Sequence, residues 1–185
     1  MATLEDVYPI VSDLTAKLRL PQPRIEVSTP KVPFIEPPVL LWKDRLTISP
    51  QALNRLNIDQ LRICLAYACV SSKTTKKSGN ISTALALAVI LPFGTIYTLT
   101  TTSGSSGLPG WFWPAAAVAF CIYFWAGYML QQKTARGIDL EVLRITNDLP
   151  EIRKYIQAGA YATKGGSPVV PKPEAVEKRM ANLPR

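Results

Sequence analysis

The residues in this chain able to do chemistry are few. No histidine occurs among its 185 residues, so no imidazole is present to hold a metal or carry a proton. Three cysteines stand at Cys64, Cys69 and Cys121. They form neither an even disulfide framework nor a C-x-x-C pair. Cys64 and Cys69 are five apart, share no helix face well, and read as small core residues. Ser71 and Ser72 precede Lys73, the one place where a Ser–Lys nucleophile is conceivable. Their polarity fits better the exposed end of a helix near lipid headgroups, which is the reading expected here. Asp139 and Glu141 project differently on a helix and have no partner base; Asp139 is expected to bond a backbone group or an arginine. Gly165-Gly166 lies in a linker and follows no strand, so it is no phosphate loop.

The elements that must position these residues are set by an unusual polarity. Charged residues make up only 18% of the chain and hydrophobic ones 48%, with a formal net charge of +8. A disordered chain would be less hydrophobic and more charged, and an average soluble domain carries about a quarter charged residues. Two stretches contain no charge, Ile81 to Thr102 and Trp111 to Leu130. Each has the roughly 20 residues a helix needs to cross about 30 Å of hydrocarbon. Trp111, Trp113, Trp125 and Tyr128 suit the headgroup level. Pro92 and Gly94 predict a kink in the first stretch. The uncharged connector Ser103 to Gly110 reads as a tight hairpin. Lys73, Lys76 and Lys77 precede the first stretch, and Lys133 and Arg136 follow the second. By the positive-inside rule both flanks are cytoplasmic. Glu5 and Asp6 are followed by no apolar run, so no cleavable signal is expected. The basic excess suits anionic lipid headgroups. With no helix-turn-helix, RNP-like pattern or aromatic–basic alternation, no nucleic-acid partner is expected.

The remaining segments read as a cytoplasmic part. Leu4 to Leu20 is an amphipathic helix with Val7, Ile10, Val11, Leu14 and Leu18 on one face, and Pro9 marks a later start as an alternative. Arg24 to Val32 and Val39 to Ile48 suit short strands, the second with a turn at Lys43 and Asp44. Asn57 and Gln60 form a capping box for a helix carrying Ile58, Leu61, Leu65 and Ala68. That helix is expected to run to about Lys77 and break at Gly79 and Asn80. Lys133 to Thr146 is a helix with Ile138, Val142 and Ile145 on one face. Asp148 and Glu151 start another, reaching about Tyr161. Lys164 to Pro173 is a linker, and Glu174 to Leu183 a last short helix. The expected class is therefore an α+β membrane protein: a mainly helical cytoplasmic domain with a small β-hairpin or sheet, plus a two-helix transmembrane hairpin. Its parts are 1–79, 80–130 and 131–185, the last packing on the first.

The order of these parts resembles the HtpX-like family of membrane-integral zinc metallopeptidases. Leu18 to Val27, LRLPQPRIEV, is similar to the family's L-x-L-P-x-P-x-V-x-V. Leu46 to Ser71 follows the segment that in the family ends in H-E-x-x-H, and Pro173 to Leu183, PEAVEKRMANL, follows H-P-x-x-x-x-R-I-x-x-L. The resemblance implies a zinc site in which two histidines one helical turn apart and a glutamate base do the chemistry. Carried over by position, Tyr67 and Ala68 stand for the first His and the Glu. Ser71 stands for the second His, and Ala135 for the third ligand if Asp139 is the Asp of E-x-x-x-D. Lys172-Pro173 replaces the terminal His-Pro.

A phenol, two methyls and a hydroxyl cannot hold zinc or lower the pKa of its water to about 7. The resemblance thus implies a pseudopeptidase with no catalytic residue, no metal and no cofactor. The implied role is an accessory subunit of a larger integral membrane complex, with photosynthetic and respiratory complexes as candidates. The vestigial substrate groove is expected to retain the ability to take a peptide or protein segment. Two alternatives stand beside it: an adaptor or regulator of a membrane protease, and an active peptidase using a non-zinc mechanism. The implied location is a bacterial inner membrane or its equivalent, multi-pass, with both termini cytoplasmic.

Overall fold

The computed structural model describes residues 3–30, 36–102, 110–164 and 167–184, with the backbone alone at 75–85, 89, 99–102 and 131–132. The chain is mostly helical with a small sheet and divides into two units. The first joins residues 1–74 to 136–185; the second is 75–135.

In the first unit, helix α1 spans Leu4–Leu18 and begins with a capping box between Thr3 and Asp6. Pro9 lies inside it, at the sixth helical position, without delaying its start; it gives up the N–H donation to the Glu5 carbonyl, a loss that the buried apolar face of the helix outweighs. Val7, Val11, Leu14 and Leu18 are fully buried, each contributing about 1.5–3 kcal/mol relative to exposure. The helix stops two residues short of Leu20, where Arg19 turns left-handed at φ 54°.

Strands β1 (Arg24–Val27), β2 (Val39–Trp42) and β3 (Arg45–Ile48) form a sheet ordered β1-β3-β2. β2 and β3 are antiparallel around Lys43-Asp44, the expected turn, and β1 lies parallel to β3. β1 is shorter than the expected strand to Val32, ending before Pro30. Leu46 and Ile48 alternate into the core.

The short helix α2 (Pro50–Arg55) follows. Helix α3 then runs without interruption from Ile58 to Thr102, and α4 from Phe112 to Thr146. The expected break at Gly79 and Asn80 is absent. Glycine in a helix interior costs only about 1 kcal/mol relative to alanine, which the flanking turns absorb. Likewise the apolar stretch from Trp111 and the Lys133 segment are one helix, since no proline or capping residue separates them. The start of α3 is as expected: Asn57 Oδ1 accepts from Gln60 N–H at 2.8 Å, and Gln60 Oε1 from Asn57 N–H at 3.1 Å.

Helix α5 (Leu149–Gln157) is capped by Asp148, whose carboxylate accepts from Glu151 N–H at 3.1 Å. The Glu151 side chain does not return to the cap but pairs with Lys154. A turn at Gly159–Tyr161 leads to a two-stranded ribbon, β4 (Thr163–Lys164) and β5 (Ser167–Pro168), where a linker was expected. Its Gly165-Gly166 tip lies outside the described residues. Helix α6 is Pro173–Met180. Val142, Ile145, Ile152 and Ile156 join the core of α1, β3 and the first turns of α3, so the C-terminal helices pack on the N-terminal part.

In the second unit, α4 is long and apolar enough to cross a membrane, and none of its apolar window is buried. Among the described residues it is the one such helix; α3 carries a shorter apolar stretch, Ala86–Thr98. The connector 103–109 lies outside the described residues.

Candidate functional site

The polar group most deeply enclosed in the first unit is the carboxylate of Asp139, 1% exposed on α4. Three donors converge on it. The Tyr67 hydroxyl on α3 donates to Oδ1 at 2.7 Å. Arg179 on α6 donates from Nη2 to Oδ1 at 2.5 Å and from Nε to Oδ2 at 3.1 Å. The guanidinium also lies 5.9 Å from the centre of the Tyr67 ring. Tyr67 stacks on Tyr155 of α5, with ring centres 4.1 Å apart and planes 14° from parallel. Tyr155 meets Tyr161 edge-on at 5.8 Å. One carboxylate thus ties together α3, α4 and α6, and through the ring stack α5.

The electrostatics follow from this burial. Removal from water, then the neighbouring Asp139 charge and its hydrogen bond, push the Tyr67 phenol far above its ordinary range. Burial does the same to Tyr155. Neither ring supplies a phenolate at neutral pH. Burial opposes the charge on Arg179, but the Asp139 bond and charge outweigh it and hold the guanidinium above its ordinary value. The arrangement is a saturated, charge-assisted anchor.

The residues singled out in the sequence fall as follows. Tyr67, in the place of the first family histidine, is buried and committed to Asp139. Ala68 and Ser71 are half-buried, and Ala135 is exposed. Ser71 and Lys73 are two apart on α3, a spacing whose side chains do not face each other. Cys64 and Cys69 are buried, and burial raises both thiols, Cys69 to about 11; neither is a thiolate nucleophile at neutral pH. Glu141 pairs with Arg144 at 2.7 Å. Asp139 meets the expectation that it bonds an arginine. Arg179 itself was not singled out: counted from Pro173, the arginine of the terminal pattern falls on its neighbour Lys178; Tyr155 carried no signal.

The donor set does not fit zinc. Tyr67 offers an engaged phenol, Ala68 and Ala135 offer no lone pair, and Ser71 offers a neutral hydroxyl, a poor set against thiolate, imidazole and carboxylate. Among the described residues no group of three or more Cys, Asp or Glu side chains is placed to hold a metal ion.

In the second unit, Trp111, Trp113, Trp125 and Tyr128 are each more than half exposed, as are Ile122 and Phe124. Lys133 is exposed, as is Arg136, the first residue of the first unit's second segment. The side chains of Lys76 and Lys77 lie outside the described residues. Phe93 of α3 and Phe112 of α4 touch edge to face at 5.6 Å.

No family model, no curated protein and no solved structure matches this chain.

Proposed function

We propose that this chain is a metallopeptidase-like membrane protein without peptidase chemistry, acting as a structural or accessory subunit of a larger membrane complex. The observation that carries the reading is the Tyr67–Asp139–Arg179 anchor. On the HtpX-like pattern, Tyr67 takes the position of a zinc-binding histidine. Its phenol is turned to a carboxylate that the same pattern retains, and Arg179, one residue past the position of the terminal motif's arginine, completes the anchor. A metal site cross-links the elements that supply its ligands. Here a phenol, a carboxylate and a guanidinium do the cross-linking.

The second unit supplies the reason to place the protein in a membrane. Trp, Phe, Ile and Tyr side chains on α4 stand exposed, and exposed apolar surface of this extent calls for lipid or a partner. The reading assigns spans to about 81–102 and 111–130, supported by the absence of charge and by the Phe93–Phe112 contact. It places both termini on the cytoplasmic side of a bacterial-type inner membrane, with the basic flanks at anionic headgroups. A photosynthetic or respiratory assembly is the proposed kind of partner. β1 is an edge strand of the sheet and is the proposed place where an extended protein segment would add.

The test is purification of the tagged chain from native membranes in mild detergent. Recovery in a complex of fixed stoichiometry is expected. Isolation as a lone monomer under every gentle extraction would contradict the proposal. Crosslinking to a protease and a changing set of clients would instead favour the adaptor role.

A further inference from the structure

A groove of about 380 Å³ lies in the first unit, lined by none of Tyr67, Asp139 and Arg179. Its floor and walls are apolar: Pro38, Ala52, Leu56, Tyr161, Val169 and Val170 line it. The size is that of a small-molecule pocket, and the lining has the expected aliphatic character.

Two further features single the groove out. One wall is held in a costly shape. Gly159, Ala160 and Tyr161 all adopt the left-handed region, with φ of 62°, 62° and 53°. A Cβ at Gly159 would lie 2.3 Å from the carbonyl oxygen of Val169, so only glycine fits. A left-handed alanine and a left-handed tyrosine are both strained, and Tyr161 itself lines the groove. The charges are also uneven. The Glu36 carboxylate accepts from the Thr163 hydroxyl at 3.2 Å, on the ribbon side. Arg55, at the end of α2, also lines the groove, is exposed, and makes none of the described ion pairs.

We propose that this groove binds an aliphatic monocarboxylate, its chain against the proline–leucine–valine lining and its carboxylate on Arg55. An apolar slot with one uncommitted cation at its rim matches an anion with an apolar tail. A guanidinium takes a carboxylate with two parallel hydrogen bonds.

The experiment is calorimetric titration of the full chain in nanodiscs with decanoate and, separately, decanol, with empty nanodiscs subtracted. Decanoate is expected to bind saturably and about tenfold more tightly than decanol. Arg55→Gln, at an exposed position, is expected to abolish that preference while leaving decanol unchanged. Val170→Trp, also at an exposed position, is expected to weaken both by crowding the groove. Equal affinity for the two ligands, a preference that survives Arg55→Gln, or non-saturable uptake matching the empty nanodiscs would each overturn the proposal.

Discussion

The two units spend their apolar residues in opposite ways. In the first, Val7, Leu14, Leu46, Leu61 and Ile152 are withdrawn from solvent, and the one deeply buried charge is matched by three donors. In the second, Phe124 and Trp125 stand 70% and 65% exposed along α4. The first unit carries its own solvent-excluding interior. The second leaves its apolar residues exposed, which the proposed membrane placement would cover. The difference teaches that hydrophobic content alone does not distinguish a core from a lipid-facing surface; what separates them is whether polar groups are interleaved and paired.

The largest effect expected from breaking this contrast is in the first unit. Arg179→Ala leaves the Asp139 carboxylate buried with Tyr67 as its only remaining partner. Stripping one side of a fully buried pair costs about 3–5 kcal/mol; solvent reaches the Arg179 guanidinium, 36% exposed, so the loss falls at the lower end of that range, to be read from denaturant unfolding of the full chain. Asp139→Asn in the Arg179→Ala background is expected to recover part of that loss, because it removes the unpaired charge. The corresponding change in the second unit is Phe124→Lys. On a water-facing surface it would be near neutral, whereas at lipid depth it costs about 2.5–3.5 kcal/mol. The measured quantity is the fraction of chain that resists alkaline extraction from membranes, and it is expected to fall.

Smaller effects sharpen the picture of the anchor. Tyr67→Phe keeps the stack on Tyr155 and removes one hydrogen bond to a charged group, costing about 1.5–3 kcal/mol. The pH dependence has a definite sign. The Tyr67 and Tyr155 phenols are both raised in the folded state, so the unfolded chain ionises first, near pH 10. Their contribution is complete below that pH and is lost as pH rises beyond it, by up to about 1.4 kcal/mol per unit for each ring. Tyr67→Phe is expected to reduce the slope of stability against pH in that range. Least of all, Asp148→Ala removes the α5 cap at a cost of about 0.5–2 kcal/mol.

Much of the first unit was legible in the sequence because local chemistry fixes it. Asn57 with Gln60 and Asp148 with Glu151 N–H cap as their spacing predicts. The Lys43-Asp44 turn and the α1 core face also lie where the pattern places them. The segments read differently were those where length or tertiary pairing prevails. Gly79 and Asn80 do not stop a 45-residue helix. The ribbon at Thr163–Pro168 forms because Thr163 also pairs with Glu36, far away in sequence. The anchor was half legible: Asp139 was expected to find an arginine, but a helix-to-helix pair 40 residues apart leaves no periodic trace that names Arg179.

The central claim is that the phenol–carboxylate–guanidinium anchor stands where the HtpX-like pattern has zinc. The most direct test is metal analysis of the full chain reconstituted in nanodiscs after incubation with zinc, alongside a peptide-cleavage assay with and without chelator. The account predicts no stoichiometric zinc and no chelator-sensitive cleavage. One zinc per chain, lost together with cleavage on chelation and abolished by Tyr67→Phe, would contradict it.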